Sequence, residues 1–338
     1  MFKVSLLTRD GAAIAFTAEP DETLLDAAER AQIYPPSSCR QGGCGACRVG
    51  VASGEALLET FSDAAMSAAE REAGDILLCR AHARSDLSLT APFDQAAIGF
   101  APTPARRATI VELGPAGSAA MRLVLRYDDD PEFGCAAQFV AGQFAELELP
   151  GESVTRAYSI ACAPNWDGVL EFLIRLQPGG LFSSWLTERA AIGDALIVHG
   201  PKGQFTLDDA SAAPRWFVAG GTGLAPALSM LRQMAEFGDA RPCRLFFGVN
   251  RVDEFFALDA IEALRALLPQ LAVTLCVWKA DAAWTGLTGT PAQALAEAPQ
   301  QPDVYVCGPP ALIVATEAAA AAAGIAPERV FSERFAPA

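Results

Sequence analysis

The chain has 338 residues, of which 51% are apolar, and its 40 acidic against 25 basic side chains give a formal charge of −15. This length is too great for one ordinary core, so we expect two or three domains. The negative charge argues against binding to nucleic acid or to anionic membrane surfaces. The sequence contains neither a run of ~18 apolar residues, as a membrane span needs, nor the apolar core of a signal peptide at its start. We therefore expect a cytoplasmic protein that does not enter a membrane.

The first 95 residues predict a small α+β module. Apolar residues alternate with polar ones on both sides of a turn at Gly11, which is typical of a β-hairpin. A short helix is expected after Thr23, because Thr23 and Asp26 resemble a capping box, and the prolines from Pro35 onward are expected to stop it. A loop rich in cysteine and glycine comes next and is a candidate metal-binding loop.

Four cysteines of this module have the spacing C-x4-C-x2-C followed by a distant fourth cysteine: Cys39, Cys44, Cys47 and Cys79. This is the spacing of plant-type 2Fe-2S sites. Glycines such as Gly42, Gly43 and Gly45 allow the backbone to approach an anionic cluster closely and to direct N–H groups at its sulfurs. Zinc is the alternative, but its sites favour pairs of C-x2-4-C, and only Cys44 and Cys47 are so paired. The sequence therefore predicts a 2Fe-2S cluster.

Beyond a proline-containing linker the pattern changes twice. Six short β-type runs come first, at residues 109–113, 121–127, 144–149, 157–161, 170–176 and 195–198. Turn signals separate them at regular intervals, which indicates an antiparallel barrel or a sandwich. From Arg215 onward apolar strands alternate with helices, the strands at residues 216–219, 244–249, 271–277 and 303–307 and the helices at residues 224–236, 258–267 and 311–323. That alternation predicts a doubly wound α/β domain.

Two motifs of the barrel region suit a flavin. Arg156, Tyr158 and Ser159 offer a phosphate-binding fork, a ring for stacking and a hydrogen bond to a flavin nitrogen. This motif is short, and an exposed strand with a surface arginine would look the same. Further along, an arginine precedes paired glycines and paired serines at the start of an expected helix: Arg175, Gly179, Gly180, Ser183 and Ser184. Backbone N–H groups at such a turn can receive a pyrophosphate.

A glycine-rich loop in the α/β region suits a nicotinamide dinucleotide. The loop G-G-T-G from Gly220 to Gly223 follows an apolar strand and opens a helix, so its backbone is expected to cradle phosphates. It is not the strict G-x-G-x-x-G fingerprint, because the sixth position is Pro226. Cys307 and Gly308 end the last predicted core strand, at the edge where open α/β sheets bind ligands. Cys307 is either a buried thiol or part of the nicotinamide pocket.

The order of these motifs carries more information than any one of them. With R-A-Y-S, G-G-L-F-S-S, G-G-T-G and C-G-P-P behind a cysteine-rich module, the chain resembles the ferredoxin-NADP reductase superfamily with an N-terminal plant-type ferredoxin. It is most similar to the reductase components of benzoate-, toluate- and anthranilate-type ring-hydroxylating dioxygenases. The resemblance covers nearly the whole length. It implies an α+β β-grasp ferredoxin domain at residues 1–95, an antiparallel FAD-binding β-barrel at residues 103–208 and an α/β NAD-binding domain at residues 212–338.

The same resemblance implies roles for individual residues. Arg156 would contact a flavin phosphate, Tyr158 would stack on the isoalloxazine, and Ser159 would lie near its N5. The residues implied at the FAD pyrophosphate are Gly180 and Ser183, and those implied at NADH are Gly221, Thr222, Gly223, Cys307 and Gly308. Glu333 and Phe335 match family positions near the flavin. Ser159, Cys307 and Glu333 are thus the expected catalytic residues.

The implied activity is electron transfer from NADH through FAD and a 2Fe-2S cluster to a terminal oxygenase. NADH gives up two electrons as a hydride, whereas an oxygen-activating iron centre takes them singly, and a flavin can divide them. Hydride transfer needs no acid-base side chain, so His82 and His199 are expected to be structural or solvated. Arg251 and Asp253 give conflicting signals on the nucleotide, and NADH rests on the resemblance. A di-iron monooxygenase or a deoxysugar dehydrase is an alternative acceptor, and a non-enzymatic redox carrier or sensor is an alternative class.

Overall fold

A computed structural model describes residues 1–63, 65–152, 154–297 and 301–334. The chain divides into two compact units, one formed mainly by Met1–Thr103 and the other by Pro104–Pro201 and the described part of Phe205–Phe335. The predicted barrel and α/β regions thus belong to one unit, and the domain boundaries given above stay predictions. Among the described residues, no helix combines the length and the apolar character needed to cross a membrane.

In its described residues, the first unit contains seven strands and two helices: β1 (Phe2–Leu7), β2 (Ala13–Ala18), α1 (Leu24–Arg30), β3 (Arg48–Ser53), β4 (Ala56–Leu58), α2 (Ala68–Glu72), β5 (Asp75–Leu77), β6 (Ala81–Ala83) and β7 (Leu87–Thr90). Five strands form a mixed sheet in the order β2-β1-β7-β3-β5, with β1 and β7 parallel, and β4 pairs with β6 apart from it. Val4 and Leu6 point inward from β1 and share a core with Leu24 and Leu25 of α1. This is the expected β-grasp arrangement of a sheet closed by one main helix.

The predicted hairpin and helix are confirmed, with one difference at the helix end. β1 and β2 pair antiparallel, and α1 starts after Thr23, whose side-chain oxygen accepts a hydrogen bond from the Asp26 N–H at 3.1 Å. The helix ends at Arg30, before the prolines that were expected to stop it. Gln32 adopts a left-handed φ of 62°, which a right-handed helix cannot continue.

As far as it is described, the second unit begins with six strands and one helix: β8 (Ala105–Ala116), β9 (Ala120–Tyr127), β10 (Phe144–Glu148), β11 (Thr155–Ser159), β12 (Val169–Arg175), α3 (Leu181–Glu188) and β13 (Ala195–Lys202). The strands form one sheet in the order β11-β10-β13-β8-β9-β12. Its two end strands meet where Ile160 bridges to Phe172 and the Ala161 N–H donates to the Glu171 carbonyl at 2.7 Å. The sheet therefore closes on itself as a barrel, which decides between the two architectures that the sequence left open.

The α/β part of the second unit, in its described residues, has six strands and three helices: β14 (Arg215–Gly220), α4 (Leu224–Glu236), β15 (Cys243–Val249), α5 (Leu258–Leu267), β16 (Leu271–Val277), β17 (Leu287–Thr288), β18 (Asp303–Gly308), α6 (Pro310–Ala322) and β19 (Val330–Arg334). All neighbouring strands run parallel in the order β17-β16-β15-β14-β18-β19. Successive residues of β14 enter different cores: Phe217 packs on the side of α4 and α5, and Trp216 on the side of α6. Helices cover both faces, so the predicted doubly wound domain is confirmed.

Candidate functional site

The four predicted cluster ligands come together in the first unit as two pairs. Cys39 and Cys44 lie in the loop between α1 and β3, Cys47 directly precedes β3, and Cys79 lies in a single 3-10 turn after β5. The Sγ atoms of Cys47 and Cys79 are 3.4 Å apart, and Cys44 hydrogen-bonds to Cys39. That hydrogen bond, helped by backbone N–H groups, lowers the pKa of Cys39 against the opposing effect of burial.

This pairing fits two irons better than one zinc. Within the described residues, no three His, Cys, Asp or Glu side chains converge on a single metal position. A structural zinc needs its four ligands around one point, whereas a 2Fe-2S cluster places two ligands on each iron. The Gly43 N–H also points at the Cys39 sulfur at 3.1 Å, as expected for a loop around an anionic cluster. Gly45 has a φ of 76°, and a Cβ there would overlap the Ala65 carbonyl oxygen.

Strand β11 carries the first flavin motif. Tyr158 is half-buried, and its ring centroid lies 5.0 Å from that of Phe182 on α3. Burial raises the pKa of Tyr158, so its phenol stays neutral at ordinary pH. The Arg156 guanidinium donates only to the neighbouring Thr155 carbonyl, at 3.0 Å, among the hydrogen bonds of the described residues. A ring with one packed side and an arginine that meets no carboxylate among the described residues are both compatible with a flavin nucleotide.

The second flavin motif forms the start of α3. Gly180 is the N-cap of this helix, and the preceding Gly179 has a φ of 73°. Ser183 Oγ accepts a hydrogen bond from the Gln177 N–H at 2.8 Å, which fixes the turn, and the Ser184 N–H donates to the Gly180 carbonyl at 2.8 Å. Arg175 ends β12 with its side chain exposed. The residues predicted at the pyrophosphate therefore lie in one continuous segment that leads into the helix.

The glycine loop of the α/β part packs against the end of β18. Gly221–Gly223, which includes Thr222, forms one 3-10 turn between β14 and α4. A Cβ at Gly223 would overlap the carbonyl oxygen of Cys307, so the close approach requires glycine. Gly308 follows with a φ of 155°. The two segments predicted for the nicotinamide nucleotide are thus adjacent, although 84 positions separate Gly223 from Cys307 in the sequence.

The three predicted catalytic residues meet at the boundary between the barrel and the α/β part. Ser159 Oγ donates to Glu333 Oε2 at 2.7 Å, and the Cys307 Sγ lies 3.8 Å from the same oxygen. Glu333 reaches this position because β19 pairs with β18 in a register that places it beside Cys307. Burial raises the pKa of Glu333 to about 7, although both hydrogen bonds lower it. Burial, with the charge of Glu333, also raises the pKa of the Cys307 thiol.

Other residues fall outside this meeting point. Phe335, predicted near the flavin, lies outside the described residues. His82 Nε2 is 2.8 Å from Glu59 Oε1, and His199 Nε2 is 2.7 Å from Glu148 Oε2, so each histidine pairs with a carboxylate. Phe182 against Tyr158 was not predicted, because an apolar residue at a helix start gives no sequence signal of its own.

Three family models match the chain and divide it as the sites do. They describe a 2Fe-2S iron-sulfur cluster binding domain at residues 7–84, an oxidoreductase FAD-binding domain at residues 132–207 and an oxidoreductase NAD-binding domain at residues 217–318. The first contains all four paired cysteines. The second contains the β11 motif and the start of α3, and the third contains the glycine loop and Cys307.

Similar proteins match over nearly their full length. The toluate 1,2-dioxygenase electron transfer component of Pseudomonas putida is 35% identical, with 99% of this chain and 98% of that protein covered. The reductase component of propane 2-monooxygenase from Mycolicibacterium goodii is 33% identical, with 95% and 94% covered. A solved structure of an Amycolatopsis cytochrome P450 reductase is 30% identical, covers 100% of this chain and 99% of its own, and has a TM-score of 0.77.

Proposed function

The chain belongs to the family of reductases that join a 2Fe-2S domain to FAD-binding and NAD-binding oxidoreductase domains, and we propose that it passes electrons from NADH to the terminal oxygenase of an aromatic ring-hydroxylating dioxygenase. The observation that carries this proposal is the meeting of Ser159, Cys307 and Glu333. These three residues join β11, which carries the flavin motif, to β18 and β19 of the α/β sheet. A hydride donor and acceptor have to lie face to face at this place.

The barrel residues are proposed to hold FAD. When bound, FAD supplies the chemistry that takes a hydride and releases single electrons. Arg156 would bind a phosphate and Tyr158 would lie against the ring system. Backbone N–H groups at the start of α3 would bind the pyrophosphate, with the remaining contacts from Arg175, Gly180, Ser183 and Ser184.

The α/β residues are proposed to hold NADH and to control charge at the reacting end. Gly221, Thr222 and Gly223 would bind its phosphates, with Cys307 and Gly308 beside the nicotinamide. An ionised Glu333 carboxylate would stabilise the positive charge that a nicotinamide ring carries once its hydride has been given up. Ser159 Oγ orients this carboxylate through its hydrogen bond. Glu333 would therefore act as an electrostatic residue and not as a proton donor.

The paired thiols are proposed to hold the cluster from which electrons leave. Cys39 and Cys44 would bind one iron, and Cys47 and Cys79 the other. N–H groups directed at the sulfurs, such as that of Gly43, stabilise negative charge and so favour the reduced cluster. We also propose a cytoplasmic location, because nine free cysteines, including these four, suit a compartment that keeps thiols reduced.

The acceptor has a second candidate. Similarity to the toluate dioxygenase component favours an aromatic dioxygenase, whereas similarity to the propane 2-monooxygenase reductase favours a hydrocarbon monooxygenase. Turnover of purified terminal oxygenases of both kinds, each supplied with NADH and this protein, separates them. We expect substrate-dependent turnover with the aromatic dioxygenase and little with the monooxygenase.

An anaerobic NADH titration tests the activity itself. We expect the flavin absorbance to bleach and the electron paramagnetic resonance signal of a reduced 2Fe-2S cluster to follow. A protein that binds both groups but shows no bleaching would be a passive carrier or sensor, and the proposal would be abandoned.

Gly223→Ala tests the close packing of the nucleotide loop on β18. The added methyl group meets a backbone carbonyl that cannot move aside, so we expect a loss of about 1–3 kcal/mol in the free energy of unfolding. Reduction of the flavin by NADH should slow as well, because the phosphate-binding loop shifts. Gly114→Ala is the matched control, since a methyl group there meets open space. Urea denaturation and stopped-flow absorbance give both quantities, and equal behaviour of the two variants would contradict the prediction.

Nucleotide preference is expected to favour NADH. Arg251, whose sequence position suits a 2′-phosphate, forms an ion pair with Asp253, with Nε and Oδ1 3.1 Å apart. Both side chains are exposed, so the pairing offsets the arginine charge only in part. We expect a lower KM for NADH than for NADPH in steady-state reduction of ferricyanide. A lower KM for NADPH would contradict this preference.

A further inference from the structure

A buried carboxylate joins the barrel to the helix that follows the nucleotide loop. Glu171, on β12, is 8% exposed. Its Oε1 accepts from Arg122 Nε of β9 at 2.7 Å, and its Oε2 accepts from Arg232 Nη1 of α4 at 2.6 Å. Burial alone would raise the pKa of Glu171, but the two arginines hold it below its usual value. The side chain is therefore ionised at neutral pH and fully paired.

The same face of α4 binds the segment that follows the flavin strand. Arg232 Nη1 also donates to the Ala161 carbonyl at 2.8 Å. One turn earlier, the fully buried Ser229 Oγ donates to the Cys162 carbonyl at 2.6 Å. Residues three apart on a helix lie on one face. One face of α4 therefore forms hydrogen bonds both with β12 and with the residues just after Ser159.

The position of this attachment has a mechanical consequence. α4 begins at the Gly221–Gly223 turn, and Arg232 lies about 12 Å along the helix from its first residue at a rise of 1.5 Å per residue. A helix transmits displacement along its axis, so the attachment at Arg232 sets where the glycine loop lies relative to Ser159. Hydride transfer is sensitive to such placement, because a 1 Å error can cost about 10²-fold in rate.

We propose that Glu171 and Arg232 are positioning residues that fix where the Gly221–Gly223 loop lies relative to β11, the strand that carries the flavin motif. This inference rests on the proposed NADH-to-flavin reaction. A positioning role does not require either side chain to touch a cofactor. The competing explanation is that the pair serves stability alone. Buried ion pairs are often neutral for stability, and they become costly only when one partner is removed.

The test uses the full-length holoprotein with two variants and a control. Glu171→Gln keeps the shape of the side chain and weakens both ion pairs. Arg232→Met removes the attachment from the helix side and leaves the barrel's own Arg122 and Glu171 pair in place. Glu112→Gln is the control, because Glu112 is an exposed outer partner of Arg122 at 2.5 Å and, among the described residues, forms no ion pair with α4.

We expect both variants to keep their FAD but to lose about 10- to 100-fold in the limiting rate of flavin reduction by NADH in anaerobic stopped-flow experiments. The dissociation constant for NADH should change little, because the phosphate loop itself is intact. Flavin reduction by dithionite, which needs no nucleotide, should be unchanged. In the same holoprotein, hydrogen exchange should accelerate in α4 and not in the barrel strands. Glu112→Gln should match the wild type in every measurement.

Several outcomes would overturn the inference. An unchanged limiting rate in both variants would do so, as would an equal loss with dithionite, which would indicate damage to the flavin site. Loss of FAD from Arg232→Met would assign the pair to barrel stability. Failure of the wild-type protein to be reduced by NADH would refute the proposed function instead, so the two failures are distinguishable.

Discussion

Cys47→Ser is expected to abolish electron delivery to the terminal oxygenase while leaving reduction of the flavin by NADH intact. The reason is that Cys47 lies in the first compact unit, whereas Ser159, Cys307 and Glu333 lie in the second. A serine hydroxyl is a poor substitute for a soft thiolate ligand. Loss of a ligand should weaken metal binding by more than the ~10–100-fold typical of changes to outer partners. Iron content, the resonance signal of the reduced cluster and oxygenase turnover should all fall together.

A second electron acceptor and a control variant test whether the effect is confined to the cluster. Ferricyanide, which can take electrons from the flavin directly, should still be reduced at the wild-type rate. Cys135→Ser is the matched control, because that thiol is exposed and stands outside the four paired cysteines. If Cys47→Ser keeps its FAD but can no longer be reduced by NADH, the separation of the two functions between the two units would be wrong.

Glu333→Gln should slow flavin reduction by about 10²-fold at pH 8, the size typical of losing one electrostatic contact to a developing charge. With a pKa of about 7, Glu333 gains its negative charge as the pH rises through neutrality. The wild-type rate should therefore increase between pH 6 and pH 8, because only the ionised carboxylate stabilises the positive nicotinamide. The variant should show a low rate without this rise. Stopped-flow measurements across this range provide the test, with Glu328→Gln as an exposed control on the same segment.

Although Glu333→Gln should slow flavin reduction, it should raise the free energy of unfolding at pH 8 relative to the wild type. A carboxyl group whose pKa is raised on folding stabilises the native state below its unfolded pKa of 4.5 and loses that contribution as the pH rises through about 7. Wild-type protein should thus lose on the order of 3 kcal/mol between pH 4.5 and pH 8 from this group, as an upper estimate. Glu333→Gln cannot ionise and should escape that loss. A variant that is both inactive and less stable at pH 8 would point to a structural role.

The fold was predictable where the signal was local. The helices at Leu224–Glu236 and Leu258–Leu267 have the predicted bounds because each has a long apolar stripe of helical period. β19, at Val330–Arg334, was not predicted, because a short segment of mixed polarity becomes a strand only through its parallel pairing with β18. β11 begins at Thr155, two residues before the predicted run, and Ile160 instead serves the bridge that closes the barrel.

The site residues also differ in whether a local sequence signal predicts them. The cysteine spacing alone predicted the four cysteines that the structure brings together in pairs, because three of the four lie within one short loop. Ser159 and Glu333 are 174 positions apart, and only the resemblance to a family linked them. Their hydrogen bond and the raised pKa of Glu333 depend on how two sheets meet. The pair formed by Glu171 and Arg232 had no sequence signal, since 61 positions separate two common residue types.

The arrangement of the thiols also bears on how the protein matures. Cys39 and Cys44 share one loop, so their half of the site can form early and locally. Cys47 and Cys79 are 32 positions apart, and bringing them within 3.4 Å requires β3 and β5 to have paired. The second iron would therefore be captured only by a polypeptide that has already closed on itself, and its capture would cross-link the two ends of that long loop. Cofactor insertion would then follow the pairing of β3 with β5 and would stabilise that pairing once complete.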